Sequence, residues 1–322
     1  MSATTMTAVP PDLAGRDCLT VSAFSPEEVQ GLIRHAYWLK EQKKAGKHYA
    51  PLTDKTLAMI FDKSSTRTRV SFETGMAQLG GHALALNRQE LQLGRGESVE
   101  DTARILSGYV DAVLIRTFQH ELVEQLAENA SIPIINGLTD LHHPCQAFAD
   151  VMTLAELKPG RDDLRLAYVG DGNNVLHSLA EAAALTGIEL VAATPPGYEP
   201  DAAIWQQAQA LASTTGARLH LTHDPREAVA DADAVYTDVW ASMGQEAEKE
   251  KRQRDFDGFI VDASLMNFAR SDAVFLHCLP AYRGLEVAAE VMDGPQSVVF
   301  QQAENRLHVQ KALLVSLLVG NG

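Results

Sequence analysis

Hydroxyl and guanidinium side chains stand together in residues 64–69, directly after the apolar run of residues 57–61. The run predicts a strand, and the spacing of the apolar residues beyond the motif predicts a helix. A helix start offers unpaired backbone N–H groups and the positive end of the helix dipole, both of which suit a phosphate. Side chains two apart on a helix point to different faces, so one of Arg67 and Arg69 should reach the phosphate and the other the surface or a carboxylate. A capped helix with solvated arginines is the alternative.

A second polar group is the stretch His142-His143-Pro144-Cys145-Gln146. Adjacent histidines in an extended segment point to opposite sides, and no further ligand follows at a supporting spacing, so we expect no metal site. We interpret the stretch as an imidazole aimed at a substrate oxygen, with Gln146 nearby as a neutral donor.

Two further groups follow predicted strands in the second half of the chain. Asp238 opens residues 238–244 and can take a cationic amine, while the charged residues 245–255 predict either a solvated helix or a mobile lid. In His277-Cys278-Leu279-Pro280 the proline favours an extended conformation that presents backbone groups to a ligand. A buried cysteine serves packing more often than chemistry, which is the alternative here.

The regular alternation of predicted strands and helices indicates an α/β protein with two domains, each with a parallel β-sheet flanked by helices. Ligands of such sheets bind beyond the carboxyl ends of the strands. Residues 65–68, Arg116 and His143 each lie just past a predicted strand end, so they could converge. The predicted later elements are the strands 132–135, 164–169, 234–237, 259–261 and 274–276 and the last helix 304–319.

Residues 170–175 resemble a dinucleotide-binding loop superficially. The third glycine of G-x-G-x-x-G is replaced by Val175, and the next strand ends in Thr194 where an acidic residue would be required. A nicotinamide dehydrogenase is therefore only the runner-up from the fold.

Composition narrows the class of protein. The chain has 322 residues, 46% of them hydrophobic and 21% charged, and a net charge of −15, which opposes binding to nucleic acid or an anionic membrane. Three cysteines without a C-x-x-C pair argue against a disulfide framework or a structural zinc. With no signal-like start, these features predict a cytoplasmic protein.

Three motifs together resemble the aspartate/ornithine carbamoyltransferase family: residues 65–69, His143-Pro144-Cys145-Gln146 and His277-Cys278-Leu279-Pro280. The resemblance runs from about Leu19 to the last helix, and residues 170–174 and 238–244 look like the ornithine branch. It implies transfer of a carbamoyl group from carbamoyl phosphate to the δ-amine of L-ornithine, giving citrulline and phosphate without a metal or other cofactor. Arginine biosynthesis is the expected role rather than catabolism. Putrescine, aspartate or an acylated ornithine are alternative acceptors, and an inactive binding protein of the same fold is another possibility.

The resemblance also implies the domains and the residues of the site. Residues 1–147, joined by the C-terminal helix 304–322, would bind carbamoyl phosphate, and residues 148–303 would bind ornithine. The implied carbamoyl phosphate ligands are Ser65, Thr66, Arg67, Thr68, Gln92, Arg116, His143, Gln146, Cys278, Leu279 and Arg306. Gln92 would come from a neighbouring subunit of a homotrimer. The implied ornithine ligands are Asn174, Asp238, Ser242 and Met243.

The expected catalytic residues are Arg67, Arg116, His143, Asp238 and Cys278. An alkyl amine of pKa about 10.4 is neutral in only about one molecule per thousand at pH 7, so the attacking amine must lose a proton. In the family, Cys278, coupled to Asp238, would accept it. Tyr282 stands where the family pattern leads us to expect histidine, which leaves the packing of that loop open.

Overall fold

The computed structural model describes residues 9–62, 65–87, 96–161, 163–241 and 248–319. The chain divides into two compact units, Met1–Met152 with Asn305–Gly322, and Thr153–Glu304. Both divisions fall within helices that also contain the boundaries expected from the sequence, at 147/148 and 303/304. No helix in the described part of the chain is long and apolar enough to cross a membrane.

The first unit is built on a four-stranded sheet in which every pairing is parallel. Its strands lie in the order β2-β1-β3-β4. They are β1 (Thr56–Phe61), β2 (His82–Asn87), β3 (Ala112–Arg116) and β4 (Ile134–Leu138). The helices are α1 (Pro26–Lys44), α2 (Thr66–Gln78), α3 (Val99–Ser107), α4 (His120–Asn129) and α5 (Pro144–Leu157). β3 is buried along its whole length, whereas the edge strand β2 is partly exposed, as the sheet order requires.

The second unit has a five-stranded sheet, again parallel throughout, in the order β7-β6-β5-β8-β9. Its strands are β5 (Arg165–Val169), β6 (Glu189–Ala193), β7 (Leu219–Thr222), β8 (Ala234–Thr237) and β9 (Val274–His277). The helices are α6 (Asn174–Thr186), α7 (Ala202–Ala212), α8 (Pro225–Val229), α9 (Lys249–Asp255), α10 (Ala263–Met266) and α11 (Ala289–Met292). The last helix, α12 (Val299–Leu318), begins in this unit, and its residues from Asn305 onward belong to the first unit. The predicted fold class, two domains each with a parallel sheet flanked by helices, is confirmed.

Several element boundaries differ from the sequence-based expectations. The predicted strand 259–261 is wrong: Val261 forms only an isolated bridge with Val287, and Asp262 follows at once as the cap of α10. β7 was not predicted, because this half-buried edge strand has no continuous apolar run. The last helix begins at Val299, before the predicted start, and β4 begins at Ile134, later than predicted.

In both sheets the strand order reverses direction beside the first strand of the sheet, and candidate site residues follow the strands at that point. In the first unit the chain turns from β1 to β2 on one side and to β3 and β4 on the other. In the second unit β5 leads to β6 and β7 on one side and to β8 and β9 on the other. Ligands of parallel sheets bind outside the strand ends at such switch points.

Candidate active site

The start of α2 forms as the sequence predicts. Ser65 is the N-cap residue, and its Oγ accepts a hydrogen bond from the backbone N–H of Thr68 at 3.3 Å. The first turn of α2 contains no acidic residue, so no carboxylate within it neutralises the positive end of the helix dipole. This helix start, with Thr66 as its first residue, is suited to an anion.

Three arginines, which we call the guanidinium cluster, surround this helix start: Arg67, Arg116 and Arg306. Arg116 ends β3 and Arg306 lies on α12, and both are almost fully buried. Arg306 Nη2 donates to Thr68 Oγ1 at 2.9 Å, and Arg116 Nη1 lies 3.5 Å from the same oxygen. Thr68 therefore orients two guanidiniums from its position in the first turn of α2.

The neighbouring Arg69 has a different role from Arg67. Its Nε donates to Glu73 Oε1 at 2.9 Å, in an exposed ion pair one helical turn apart. One of the two arginines was predicted to reach the surface or a carboxylate, and Arg69 does so, while Arg67 is exposed at the start of the same helix.

His143 is buried beside the guanidinium cluster. Burial, followed by the positive charges of Arg306, Arg116 and Arg67, holds the pKa of His143 well below its ordinary value. The imidazole is therefore neutral at pH 7, with one N–H to donate and one nitrogen to accept. All three guanidiniums act on His143 in the same direction, so they make the potential at this point more positive.

This shift predicts a pH-dependent stability. The unfolded chain protonates this histidine at about pH 6.5, whereas the folded protein binds the proton only at lower pH. Stability from His143 is therefore complete above about pH 6.5 and is lost as the pH falls below it. We expect the stability difference between wild type and His143→Gln in urea unfolding to change by about 1 kcal/mol between pH 7.5 and 5.5, with wild type losing more. A difference that stays constant over this range would contradict the assignment.

Gln146, the expected neutral donor to a substrate, already donates one hydrogen bond within its own helix. The side chain is 1% exposed, and its Nε2 donates to Asp150 Oδ1 at 2.8 Å, one turn further along α5. Because the amide's donor end faces the carboxylate, its Oε1 is the end that remains, and that atom is an acceptor. Oε1 is buried and has no hydrogen-bond partner among the described residues.

In the second unit three side chains meet past the ends of the neighbouring strands β5, β8 and β9. The thiol of Cys278 donates to Asp238 Oδ1 at 3.0 Å, and Asn173 Nδ2 donates to Asp238 Oδ2 at 2.8 Å. Asn173 is also the N-cap of α6, and its Oδ1 accepts from Val175 N at 3.0 Å. Both carboxylate oxygens of the buried Asp238 are thus held in place.

The backbone that carries Cys278 is fixed by a buried histidine and glutamate. Leu279 N donates to His277 Nδ1 at 2.9 Å, so the proton of a neutral His277 lies on Nε2, which is 3.3 Å from Glu286 Oε1. The same Glu286 oxygen accepts from Tyr282 N at 2.5 Å. Leu279 has a φ of 61°, so it does not adopt the extended conformation that Pro280 was expected to favour, and this φ is strained for a bulky side chain.

These contacts also show how the loop packs with Tyr282 in place of the histidine that the family pattern led us to expect. Its backbone, and not its ring, anchors the loop to Glu286, while the side chain is half exposed. A tyrosine at this position is therefore compatible with the same loop geometry.

The charged residues after residue 247 are not simply a solvated helix. Arg252 on α9 is buried, and its Nη1 donates to Asp171 Oδ2 at 2.9 Å and to the carbonyl of Trp240 at 2.8 Å. Burial raises the pKa of Asp171 to about 6, although Arg252 opposes this shift. Arg252 thus ties α9 to the loop that follows β5.

The ligating atoms of Asp238, His277 and Cys278 lie within 4.8 Å of one another, close enough for a metal ion. However, His277 Nδ1 already accepts the Leu279 N–H, and its other nitrogen faces Glu286. A metal would have to displace one of these contacts to reach an imidazole lone pair. We therefore interpret the three residues as a hydrogen-bond network.

The three cysteines differ in environment, which predicts different reactivity. Cys18 and Cys145 are buried, and burial raises the pKa of Cys145 to about 12, whereas Cys278 is partly exposed. Because the thiolate is the reactive form, we expect iodoacetamide to modify Cys278 alone in the native protein and all three thiols after denaturation. Peptide mass spectrometry would locate the label, and rapid native modification of Cys145 would contradict this prediction.

The structure thus groups most of the predicted site residues, within each unit. The first unit holds Ser65, Thr66, Arg67, Thr68, Arg116, His143, Gln146 and Arg306, and the second holds Asn174, Asp238, Cys278 and Leu279. Asn174 is the first residue of α6 and is largely buried. Gln92, Ser242 and Met243 lie outside the described residues.

Sequence reasoning missed Asn173, Asp150 and Glu286. Asn173 could have been found as an N-cap residue before an apolar helix. Asp150 and Glu286 carry no local signal, because each acts through a residue four or more positions away.

Comparisons with known proteins cover both units. Residues 16–156 match the family model "Aspartate/ornithine carbamoyltransferase, carbamoyl-P binding domain", and residues 162–317 match "Aspartate/ornithine carbamoyltransferase, Asp/Orn binding domain".

Individual relatives agree with these matches. The chain is 58% identical to the ornithine carbamoyltransferase of Anoxybacillus flavithermus over 306 residues, which are 95% of this chain and 98% of that protein. It is 54% identical to "Ornithine carbamoyltransferase, anabolic" of Pyrococcus furiosus, over 96% of this chain and 98% of that protein. The solved structure of ornithine carbamoyltransferase from Pyrococcus furiosus superposes with a TM-score of 0.93 at 53% identity, over 97% of this chain and 99% of that chain. On the matched family models, the close relatives and the shared fold, this chain belongs to the aspartate/ornithine carbamoyltransferase family.

Proposed function

We propose that this protein is an ornithine carbamoyltransferase, which converts carbamoyl phosphate and L-ornithine into L-citrulline and phosphate. The observation that carries the proposal is the guanidinium cluster of Arg67, Arg116 and Arg306 around the helix start at Ser65 and the neutral His143. It gathers positive charge locally in a chain of net charge −15. Such a cluster suits a phosphate ester or anhydride and not a neutral ligand.

In the proposed reaction the first unit holds carbamoyl phosphate. The phosphate oxygens accept from the start of α2, from Thr68 and from Arg67 and Arg116. His143, kept neutral by its surroundings, donates its N–H to the carbonyl oxygen, on which negative charge grows as the amine attacks. Arg306 adds positive charge beside the same group, and phosphate leaves with its charge already balanced.

The second unit is proposed to hold ornithine and to receive the proton of its δ-amine. Asp238, Asn174, Ser242 and Met243 are the proposed ligands of the α-amino and α-carboxylate groups. The contact of the Cys278 thiol with Asp238 supports proton transfer through this pair, because hydrogen bonding to a carboxylate couples their protonation. The δ-ammonium first loses one proton to this pair, and the neutral δ-nitrogen then forms the bond to the carbamoyl carbon while the C–O bond to phosphate breaks. The second proton of the attacking nitrogen leaves with the departing phosphate.

No metal has a role in this proposal. The arginines supply the positive charge that a Lewis acid would otherwise provide, and His277 already uses its lone pair for Leu279 N–H. A role in arginine biosynthesis is the preferred one, supported by the name of the anabolic relative from Pyrococcus furiosus.

A cytoplasmic homotrimer, with Gln92 completing a neighbour's site, is also part of the proposal. It is supported by the family resemblance and by apolar side chains that the first unit leaves exposed, including Leu84, Ile105 and Tyr109. Light scattering would test the trimer, and a monomer with full activity would refute the contribution of Gln92.

Acceptor specificity is the experiment that tests the proposed function. We expect kcat/KM for L-ornithine to exceed those for putrescine, L-aspartate and Nα-acetyl-L-ornithine by at least about 100-fold, because each analogue loses or changes a charged group that the site would pair. The carbamoylated products would be separated by chromatography and identified by mass spectrometry. Equal or better use of putrescine would overturn the choice of ornithine.

A further inference from the structure

Asp150 is a buried carboxylate that the proposed reaction does not use. It is fully buried on α5, one helical turn beyond Gln146, and the amide of Gln146 donates to it from Nε2 at 2.8 Å. Gln146 itself follows His143 closely, and its backbone N–H donates to the carbonyl of His143 at 3.1 Å. Asp150 therefore contacts a side chain one helical turn from His143, on which the guanidinium cluster acts.

The two ends of a glutamine amide differ in hydrogen bonding but hardly in shape. One end is an NH₂ donor, the other a carbonyl acceptor, and only the surroundings decide which way the amide faces. Here the amide NH₂ of Gln146 donates and Asp150 Oδ1 accepts. Facing Asp150 with NH₂ therefore turns the carbonyl Oε1 of Gln146 away from it, where it is buried without a partner among the described residues.

The guanidinium cluster, which acts on the nearby His143, supplies hydrogen-bond donors only. The guanidiniums of Arg67, Arg116 and Arg306 have no acceptor atoms. A carbamoyl group has both a hydrogen-bond acceptor and a donor: its carbonyl oxygen accepts, and its NH₂ donates. Gln146 Oε1 can take that donor.

We propose that Asp150 is a positioning residue that fixes the amide of Gln146, so that Oε1 accepts from the NH₂ of the carbamoyl group and the site selects carbamoyl phosphate over acetyl phosphate. The inference rests on the proposed function and assigns the selectivity of that same site. Acetyl phosphate has the same phosphate and carbonyl, with a methyl group in place of NH₂. Bound in the same way, it leaves the buried Oε1 facing a methyl group, which costs affinity in the transition state.

The test compares the two acyl phosphates. Wild type and variants are assayed with L-ornithine and either carbamoyl phosphate or acetyl phosphate, and citrulline and Nδ-acetylornithine are quantified by mass spectrometry. Asp150→Asn keeps the shape but allows the glutamine amide to face either way. We expect it to lower the carbamoyl-to-acetyl ratio of kcat/KM by about 10- to 100-fold, by lowering the value for carbamoyl phosphate and not that for acetyl phosphate.

A double-mutant cycle separates orientation from a general structural effect. Gln146→Met removes the amide, so it is expected to lower the ratio as much as Asp150→Asn, and the double variant to lower it no further. Glu156→Gln is the matched control, since Glu156 lies on the same helix and accepts from the amide Nε2 of Gln301 at 3.0 Å. Its ratio should equal that of wild type.

Each outcome decides the inference. An unchanged carbamoyl-to-acetyl ratio in Asp150→Asn would overturn it. So would a double variant whose ratio falls by the product of the two single effects, because the two residues would then act independently. If Asp150→Asn does not fold, Asp150→Ser is a second variant that lacks the carboxylate. An unchanged carbamoyl-to-acetyl ratio in Gln146→Met would overturn the inference by itself. If the wild-type protein forms no citrulline, the proposed function is refuted. If the wild type forms citrulline but the variants keep its carbamoyl-to-acetyl ratio, only the inference about Asp150 is refuted.

Discussion

Replacing Arg67 with alanine is expected to lower kcat/KM for carbamoyl phosphate by about 100- to 1000-fold. In the proposed reaction Arg67 contributes a charge-assisted contact to the bound phosphate, worth about 1.5–3 kcal/mol, and additional stabilisation as charge moves onto the leaving group. The side chain is exposed, and the cap at Ser65 that starts the helix does not involve it. The fold should therefore persist, and steady-state kinetics with thermal unfolding would measure both effects.

Arg69→Ala is the matched control for this prediction. It removes the same charge two residues away on the same helix, but breaks only the exposed ion pair with Glu73, which is worth a few tenths of a kcal/mol. Its kinetics should stay close to those of wild type. Similar losses in both variants would indicate a general electrostatic effect, and near-normal affinity in Arg67→Ala would remove Arg67 from the site.

Asp238→Asn is expected to reduce kcat by about 100- to 10,000-fold, the range of a lost acid–base group. Asparagine has the same shape and can still accept from Asn173, but it no longer provides the carboxylate that holds the Cys278 thiol. Because Asp238 belongs to the second unit, binding of carbamoyl phosphate to the first unit should change little. Isothermal calorimetry with carbamoyl phosphate and steady-state assays across pH 6–10 would separate these effects.

The control for this change is Asp272→Asn, a carboxylate of the same unit in an exposed contact with Lys158. It should leave kcat and its pH profile unaltered. A normal kcat in Asp238→Asn would mean that another group accepts the proton. An equal loss of carbamoyl phosphate affinity would indicate that Asp238 acts on carbamoyl phosphate and not on ornithine.

Local signals in the sequence were enough to predict the helix starts and the strand ends that carry the site. Ser65 is the cap of α2, and Arg116 and Asp238 fall at or just past strand ends, because apolar runs and capping residues are read over a few positions. The order of the strands in each sheet, which brings these ends together, depends on contacts between distant residues. The sequence did not predict this order; it predicted only that the strands form parallel α/β units.

The orientation of polar side chains could not be predicted in the same way. Gln146 was expected to donate to a substrate, yet Asp150 takes its donor end. The conformation of the loop at Cys278 depends on Glu286, a residue that is adjacent only after folding. A short apolar run such as residues 259–261 is also ambiguous, because strand formation there requires a partner strand that the fold does not supply.

The most direct test of the proposed function follows the carbamoyl carbon itself. Carbamoyl phosphate labelled with carbon-13 would be mixed with L-ornithine and the protein, and the label followed by NMR while phosphate release is measured in the same sample. We predict that the label moves to the ureido carbon of citrulline, with one phosphate released per citrulline formed, and that the reaction is about 100- to 1000-fold slower at low carbamoyl phosphate when Arg67 is replaced by alanine. Phosphate release without labelled citrulline, or a label that stays in carbamoyl phosphate, would contradict the account.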